Sequence, residues 1–520
     1  MSMIRVKHLT FSYPTSEEKI FEDVNLHLDT EWKLGLIGRN GRGKTTFLQL
    51  LLGKYEHKGK IQASVEFDYF PAPVRERDRN TMEVLSEICP AAEEWHWLRE
   101  LSLLEVSEEV LYRPFSTLSH GEQTKVLLAG LFLKEGCVAL IDEPTNHLDR
   151  RGREIVAAYL KRKKGFILVS HDRSFLDGCV DHILAINRSS IELQRGNFSS
   201  WLSNFEAQQE SELARNKDLK KSISQMKKAA QRTTLWSDRV EASKFGNGPV
   251  DRGYIGGKSA KMMKRAKSIA LRQQRAIEEK ASLLKDVETA EELKLTPLSY
   301  RSGTLVTFSE VAPRVRGKEI CRPLSFSIKG GERIALDGKN GSGKTSLLKL
   351  LLGEDIPHSG RVSKGSGLVI SYVAQDTSML RGTLAEFARE SGVEESLLKA
   401  ILHKMGVSPN QFEKRMEEFS EGQKKKVLLG RSLCERAHLY VWDEPLNHID
   451  LFARMQIEKV ILDFAPTMIF VEHDLSFREG IATKTMTIEE PCSLDCASSK
   501  RGASFSSTIS QNLDKVLTIP

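Results

Sequence analysis

Four short motifs occur twice in this chain, in the same order and at a nearly constant spacing. Gly38-Arg39-Asn40-Gly41-Arg42-Gly43-Lys44-Thr45 returns as Gly338-Lys339-Asn340-Gly341-Ser342-Gly343-Lys344-Thr345. Leu118-Ser119-His120-Gly121-Glu122-Gln123 returns as Phe419-Ser420-Glu421-Gly422-Gln423-Lys424, and Asp142-Glu143-Pro144-Thr145 as Asp443-Glu444-Pro445-Leu446. Ser170-His171-Asp172 returns as Glu472-His473-Asp474, and the offset stays between 300 and 302 throughout. Such a series marks a duplicated domain. A chain of 520 residues is too long for a single core and has room for two.

Each copy reads as α/β. Lys33-Leu34-Gly35-Leu36-Ile37 and Arg333-Ile334-Ala335-Leu336 are short apolar runs ending at a glycine-rich loop. Leucine-rich helical segments begin at Phe47 and Leu347. Strand, glycine loop and helix in that order make the setting a phosphate-binding loop requires. Val138-Ala139-Leu140-Ile141 and Leu439-Tyr440-Val441-Trp442 precede acidic pairs as buried parallel strands would.

The phosphate-loop pattern should arise by chance roughly 0.02 times in this length at average residue usage, yet it appears twice. Its backbone N–H groups can close around an anion, which casts Gly38, Asn40, Gly41, Gly43 and Thr46, with Gly338, Asn340, Gly341, Gly343 and Ser346, as ATP-binding. Lys44 and Lys344 can reach the β- and γ-phosphates, and Thr45 and Thr345 can hold Mg²⁺. Asp142 and Asp443 end buried strands, where a carboxylate can hold Mg²⁺ through water. Glu143 and Glu444 follow at once and should face the other way by strand alternation, each placing a second carboxylate against the attacking water. His171 and His473 end another apolar strand and can bond the γ-phosphate.

Composition narrows the class. Hydrophobic residues make up 40% and charged residues 28%, ordinary for a globular protein. No apolar run reaches 18 residues, so no membrane span is expected, and the first residues lack the apolar core of a secretory signal. Seven scattered cysteines fit reduced thiols in a cytoplasmic protein; the close pair Cys492 and Cys496 is read as incidental. The net charge of +7 conceals an asymmetry, because residues 213–275 hold 17 Lys and Arg against 4 Asp and Glu. A block this basic inside an acidic remainder points to a polyanionic partner.

These motifs resemble the ATP-binding cassette ATPases, whose signature loop is Leu-Ser-Gly-Gly-Gln. In that family two cassettes pack head to tail around sandwiched ATP. The resemblance implies one site from Lys44, Asp142, Glu143 and His171 with Ser420, Gly422 and Gln423. The other joins Lys344, Asp443, Glu444 and His473 with Ser119, Gly121 and Glu122. Neither half alone supplies donors enough to surround a γ-phosphate. Two departures make the sites unequal. The family's glutamine that orders Mg²⁺ and water is matched by Gln375, but Ala72 stands there in the first copy. Tyr13 fits the family's adenine-stacking aromatic, while Pro313 is read as its counterpart.

From about 202 to 296 neither cassette pattern continues. Leu219, Ile223, Met226 and Ala230 recur at helical spacing, as do Met262, Ile269, Ala276 and Leu283 at sevens. The glycine-rich stretch between them, near 243–258, cannot be helical. The expectation is two long antiparallel helices with an exposed tip carrying Phe245, Tyr254, Ile255 and Lys258, the ingredients of RNA contact.

This layout resembles the F family of ATP-binding cassette proteins, which act on ribosomes. Supporting residues are Thr145-Asn146-His147-Leu148-Asp149, Ser170 to Leu176 and Gly196-Asn197-Phe198-Ser199-Ser200-Trp201. The run from Asp251 to Lys267 is similar to the linker of the antibiotic-resistance branch, and the Gly38–Thr46 loop with Ala72 to its Lsa-type members. The resemblance implies a protein that enters the tRNA exit site of the 70S ribosome when ATP-bound. It would lie beside the P-site tRNA, and its tip would dislodge lincosamides, pleuromutilins and streptogramin A from large-subunit rRNA near the peptidyl-transferase centre. Neither a membrane nor a stable protein oligomer is expected. A housekeeping translation factor of the same family and the ATPase subunit of a membrane transporter are the alternatives. The expected domains are 1–201, the linker 202–296, 297–490, and a Ser-rich disordered tail at 491–520.

Overall fold

The computed structural model describes residues 2–14, 19–134, 136–146, 148–187, 191–242, 268, 271–272, 293–301, 303–315, 317–339, 341–489 and 491, with side chains described in the long linker helix only to 226 and at 228. The expected tip residues Phe245, Tyr254, Ile255 and Lys258, the return helix apart from Ser268, Leu271 and Arg272, and the tail beyond Pro491 lie outside the described residues, as does Asn340.

The first half runs β1 (Met3–Ser12), β2 (Lys19–Asp29), β3 (Lys33–Gly38), α1 (Lys44–Leu51), β4 (Lys58–Gln62), β5 (Glu66–Phe70), α2 (Thr81–Ile88) and α3 (Glu94–Leu103). It continues through α4 (His120–Leu133), β6 (Cys137–Asp142), α5 (Arg150–Arg162), β7 (Phe166–Val169), α6 (Arg173–Cys179), β8 (His182–Ile186) and β9 (Ile191–Arg195). An antiparallel sheet, β2-β1-β4, packs beside a six-stranded sheet ordered β5-β6-β7-β3-β8-β9, parallel except for β9. The parallel strands read as continuous apolar runs because both faces are covered: Phe166–Val169 is buried at all four positions.

The second half repeats this plan. Its strands are β10 (Thr304–Val315), β11 (Lys318–Glu319), β12 (Leu324–Lys329), β13 (Arg333–Asp337), β14 (His358–Lys364), β15 (Ile370–Val373), β16 (Leu439–Asp443), β17 (Met468–Val471) and β18 (Lys484–Thr487). Its helices are α8 (Lys344–Leu352), α9 (Leu384–Glu390), α10 (Glu395–Lys404), α11 (Glu421–Cys434), α12 (Leu451–Phe464) and α13 (Leu475–Ile481), numbered onward from the linker helix α7 (Phe198–Ala242). The parallel sheet is ordered β15-β16-β17-β13-β18. Thus each copy carries two packed layers with the phosphate loop at the C-terminal edge of a central strand, β3 or β13, where α/β folds bind ligands.

The two halves meet as pseudo-equivalent surfaces. Ser174 and Ser476, equivalent by the repeat, touch through their hydroxyls at 2.8 Å, as residues beside a two-fold axis do. Arg173 pairs with Glu458 at 2.6 Å across the same seam. Leu451 joins the core of the first half, and Phe452 packs against it.

The linker helix crosses the expected boundary at 201/202 unbroken. It starts at Phe198 and runs 45 residues, roughly 68 Å at 1.5 Å per residue. Its base is fixed because Phe198 and Trp201 are buried in the first core. Trp201 stacks on Phe205 at 4.9 Å, and both rings contact Phe452 of the second half. On the far side, Leu293 and Leu295 are already buried in the second core, ahead of residue 297.

Candidate ATP sites

Both phosphate loops turn into their helices through a left-handed glycine. Gly43 has φ +89° and Gly343 φ +94°; a Cβ there would lie 2.5 Å from Ile20 and 2.7 Å from Ile320. Lys44 Nζ donates to the Gly38 carbonyl at 2.7 Å, and Lys344 Nζ to the Gly338 carbonyl at 2.6 Å. Burial lowers both ammonium pKa values, and nearby carboxylates only partly restore them. Each lysine is therefore a desolvated cation inside a ring of carbonyls, facing the space an anion would fill.

The acidic pairs follow from β6 and β16, but not by strand alternation as expected. Both strands end at the aspartate, and the glutamates turn into left-handed backbone, Glu143 at φ 49° and Glu444 at φ 46°. That conformation costs about 1–3 kcal/mol for a non-glycine residue and is typical of functional positions. It is held by Glu143 N donating to Val169 O and Glu444 N to Val471 O.

The two sites differ in what touches these carboxylates. Glu444 accepts from Gln375 Nε2 at 2.9 Å and from Asn447 Nδ2 at 2.6 Å, and lies 3.6 Å from His473 Nε2. Burial opposes its ionisation, yet His473, Lys425 and Gln375 together hold its pKa below the usual carboxylate value. Glu143 lies 3.2 Å from His171 Nε2, but its buried Oε1 has no properly directed hydrogen bond. Burial and the neighbouring Asp142 push Glu143 up to about 8. His171 is held neutral, far below its ordinary value, by burial and then by Lys44 and Arg454.

The aspartates differ likewise. Asp142 accepts from the Thr45 hydroxyl at 2.9 Å and from the Tyr69 hydroxyl at 3.0 Å. Asp443 is fully buried, with the Thr345 hydroxyl beside it but no well-directed hydrogen bond to either oxygen among the described residues, and burial raises it to about 6. A buried, under-bonded carboxylate beside Thr345 and Gln375 fits a hard cation such as Mg²⁺.

The signature segments begin helices α4 and α11. Ser119 and Ser420 cap them, and the residues three further on fold back: Ser119 N donates to Glu122 Oε2 at 2.8 Å, Ser420 N to Gln423 Oε1 at 3.0 Å. Glu122 and Gln423 thus complete capping boxes at the starts of their helices. Gly121 lies in the first turn of α4.

Residues from both halves line each site. A cavity of about 530 Å³ holds Lys344, Gln375, Glu444 and His473 of the second half against His120 and Asn146 of the first. Gly341, Gly343, Thr345 and Ser346 complete its phosphate-loop wall. In the other site, Asn40 Nδ2 donates to His448 O at 3.0 Å, and a Cβ on Gly422 would come within 3.0 Å of that same amide.

One correspondence drawn from the sequence is corrected. Tyr13 sits among Phe11 and Tyr55, with its hydroxyl 2.8 Å from Thr46 Oγ1. Its counterpart is Val315 and not Pro313. The left-handed bulges at His8 and Glu310, each pressed against a glycine (Gly59, Gly360), set the first strands at an offset of 302. The first half has a longer turn between its first two strands, so a constant offset of 300 fails there. Val315 lines the second cavity, whose apolar wall is therefore aliphatic.

Sequence reasoning passed over Asn447, Tyr69 and Lys425. Asn447 lay inside the repeated acidic motif, and its spacing of three from Glu444 could have found it. Lys425 is buried at 2% exposure, and burial brings it down to about 8.

Known proteins agree with this geometry. Residues 21–146 and 321–447 each match the ABC transporter family. An uncharacterized ABC transporter ATP-binding protein of Bacillus subtilis, YfmM, is 26% identical over 94% of this chain and 99% of its own. The ribosome protection protein VmlR of the same organism is 26% identical over 92% of this chain and 85% of its own. In a crystal structure of an archaeal ribosomal stalk protein with the archaeal ribosome recycling factor, the matching chain gives a TM-score of 0.61 at 19% identity, covering 93% of this chain and 88% of that one. None of the described helices is long and apolar enough to cross a membrane. With both halves matched and both phosphate loops facing a signature helix of the other half, the chain is a tandem ATP-binding cassette ATPase, two ABC ATPase domains on one polypeptide.

Proposed function

We propose that this ATPase belongs to the F branch of the ATP-binding cassette proteins and acts on the ribosome, protecting the large subunit from lincosamides, pleuromutilins and streptogramin A compounds. The observation that carries this reading is α7, a helix of 45 residues rooted by Phe198 and Trp201 between the two ATPase halves. It opens a linker with a net charge of +13 over residues 213–275. Long basic helices track phosphate backbones, and a transporter subunit has no use for one. VmlR, named for ribosome protection, matches over 92% of this chain.

In this reading ATP closes the halves on Lys44, Asp142, Glu143 and His171 with Ser420 and Gly422, and on Lys344, Asp443, Glu444 and His473 with Ser119. Thr45 with Asp142, and Thr345 with Asp443 and Gln375, would hold Mg²⁺, which neutralises charge on the transferred phosphoryl group. Glu143 and Glu444 orient the attacking water. Closure presents the linker to the tRNA exit site, and its tip around Tyr254 reaches towards the peptidyl-transferase centre. Hydrolysis then releases the clamp.

Expressing the chain in a sensitive Gram-positive host should raise resistance to lincomycin and tiamulin; unchanged susceptibility to both would contradict the drug-protection reading. A housekeeping translation factor of the same family is the second reading, since a basic linker of +13 would serve ribosome binding in either role. Deleting 243–258 separates the two, since it should remove drug protection and leave ATP-dependent ribosome binding.

A further inference from the structure

Three positions change together between the halves. Gln375 replaces Ala72, Lys425 replaces Thr124, and Glu472 replaces Ser170. In the first half the small residues make fewer bonds: the Thr124 hydroxyl donates to His120 O at 2.9 Å within its own helix, and Ser170 Oγ accepts from Asp172 N at 3.2 Å and lies 3.4 Å from the Thr145 hydroxyl. In the second half Lys425 reaches out of its own helix. Lys425 Nζ donates to Ala374 O at 2.7 Å, Gln375 O at 3.2 Å and Asp443 O at 3.3 Å. An ammonium has three N–H donors, and here all three bind the ends of β15 and β16. Glu472 accepts from Leu446 N at 3.1 Å, His473 N at 2.8 Å and Asp474 N at 3.3 Å. Lys425 and Glu472 are 2% and 3% exposed. Burying such charges costs several kcal/mol per ion unless each is fully bonded, so packing alone gives no reason to exchange a Thr and a Ser for them.

The position of Lys425 along its helix gives a reason. Helix α11 starts at the first ATP site, where Gly422 abuts Asn40, and Lys425 follows Ser420 by five residues, roughly 7.5 Å along the axis. At that depth it grips the backbone carrying Gln375 and Asp443 of the second site. One rigid helix therefore touches both sites. The matching helix of the first half, α4, carries Thr124 instead and makes no such grip through that position.

We propose that Lys425 is a positioning residue for hydrolysis at the second ATP site, locking Gln375 and Asp443 to α11 so that closure at the first site sets turnover at the second. Glu472 is its buried counter-charge. The inference rests on reading Gln375, Asp443 and Glu444 as the working groups of the second site. The link runs one way in turnover; reciprocity binds equilibrium affinities and not rates.

Site-resolved hydrolysis by the full chain tests this. E143Q leaves turnover to the second site, and E444Q leaves it to the first. K425T is combined with E472S, because K425T alone would leave Glu472 buried without its counter-charge, and the pair copies residues the first half already accommodates. In the E143Q background K425T/E472S should lower kcat about tenfold, as loss of a group orienting a ligand does, with KM for ATP within about twofold. In the E444Q background kcat should not change. Adding Q375A to K425T/E472S should cost no more than about twofold, against about tenfold alone, since residues acting as one unit are non-additive. Unchanged kcat in the E143Q background, equal losses in both backgrounds, or a fully additive Q375A would each overturn the proposal. Turnover that survives E143Q/E444Q would instead overturn the carboxylate assignment beneath it.

Discussion

The Gln375 side-chain amide donates to the Glu444 carboxylate at 2.9 Å, and the corresponding position in the first half is Ala72. The second carboxylate is thereby fixed and ionised, while Glu143 has only His171 Nε2 near its Oε1, without a well-directed hydrogen bond. Removing the amide should expose the difference. Q375A is expected to lower ATP turnover about tenfold when measured in the E143Q background, and to leave turnover in the E444Q background unchanged. Steady-state phosphate release reads both.

Closure at the first site depends on the absence of a side chain at Gly422. A Cβ there would stand 2.4 Å from His448 O and 3.0 Å from Asn40 Nδ2. His448 belongs to the same half as Gly422, so G422A must displace the His448 carbonyl that receives the Asn40 amide across the seam, and overpacking of that kind costs about 1–3 kcal/mol. ATP-induced hydrogen-exchange protection of the segments around Asn40 and His448 should fall by about tenfold, while the far seam at Ser174 and Ser476 keeps its protection.

Much of this architecture could be read from the chain, and the reasons it stopped where it did are physical. The phosphate loops, the acidic strand ends and the histidines are local motifs, so spacing alone placed Lys44, Asp142 and His171 correctly relative to one another. Glu143 and Glu444 were assigned to the right neighbourhood by the wrong rule, since a left-handed turn and not strand alternation aims them. The capping-box roles of Glu122 and Gln423 could be read from the Ser-x-x-Glu and Ser-x-x-Gln spacing and were passed over. Val315 was missed because a turn of different length shifts the register of only one strand. Lys425 gave no sign at all: it reads as one of three consecutive lysines, and only the fold shows that it points inward.

A buried ion pair stands behind the first site. Lys426 and Asp450 meet at 2.5 Å and are each no more than 3% exposed. Burial opposes ionisation of Asp450, and Lys426 outweighs it, holding the pKa well below the ordinary value. K426M would leave that carboxylate buried and unpaired, a change expected to cost about 3–5 kcal/mol. Thermal and urea unfolding should both register the loss.

A second pair predicts an acid-sensitive component of stability. Glu100, 1% exposed, accepts from Lys163 Nζ at 2.5 Å and from the Tyr159 hydroxyl at 2.6 Å. Burial alone would raise its pKa, but these partners bring it below the ordinary carboxylate value of 4.5. A depressed folded-state pKa means that the stabilisation is fully present above about pH 4.5 and is lost as pH falls through the folded value. E100Q should therefore lower Tm at pH 7, and the difference from the parent chain should shrink as pH falls below about 4.5.

The reading of the whole molecule is that an ATP-driven clamp carries a basic arm to the ribosome. Co-sedimentation of the hydrolysis-blocked E143Q/E444Q chain tests it most directly. With ATP the protein should pellet with 70S ribosomes and with isolated large subunits, and with ADP it should stay in the supernatant. A protein that ignores ribosomes in both nucleotides, or that travels with membranes, would contradict the account.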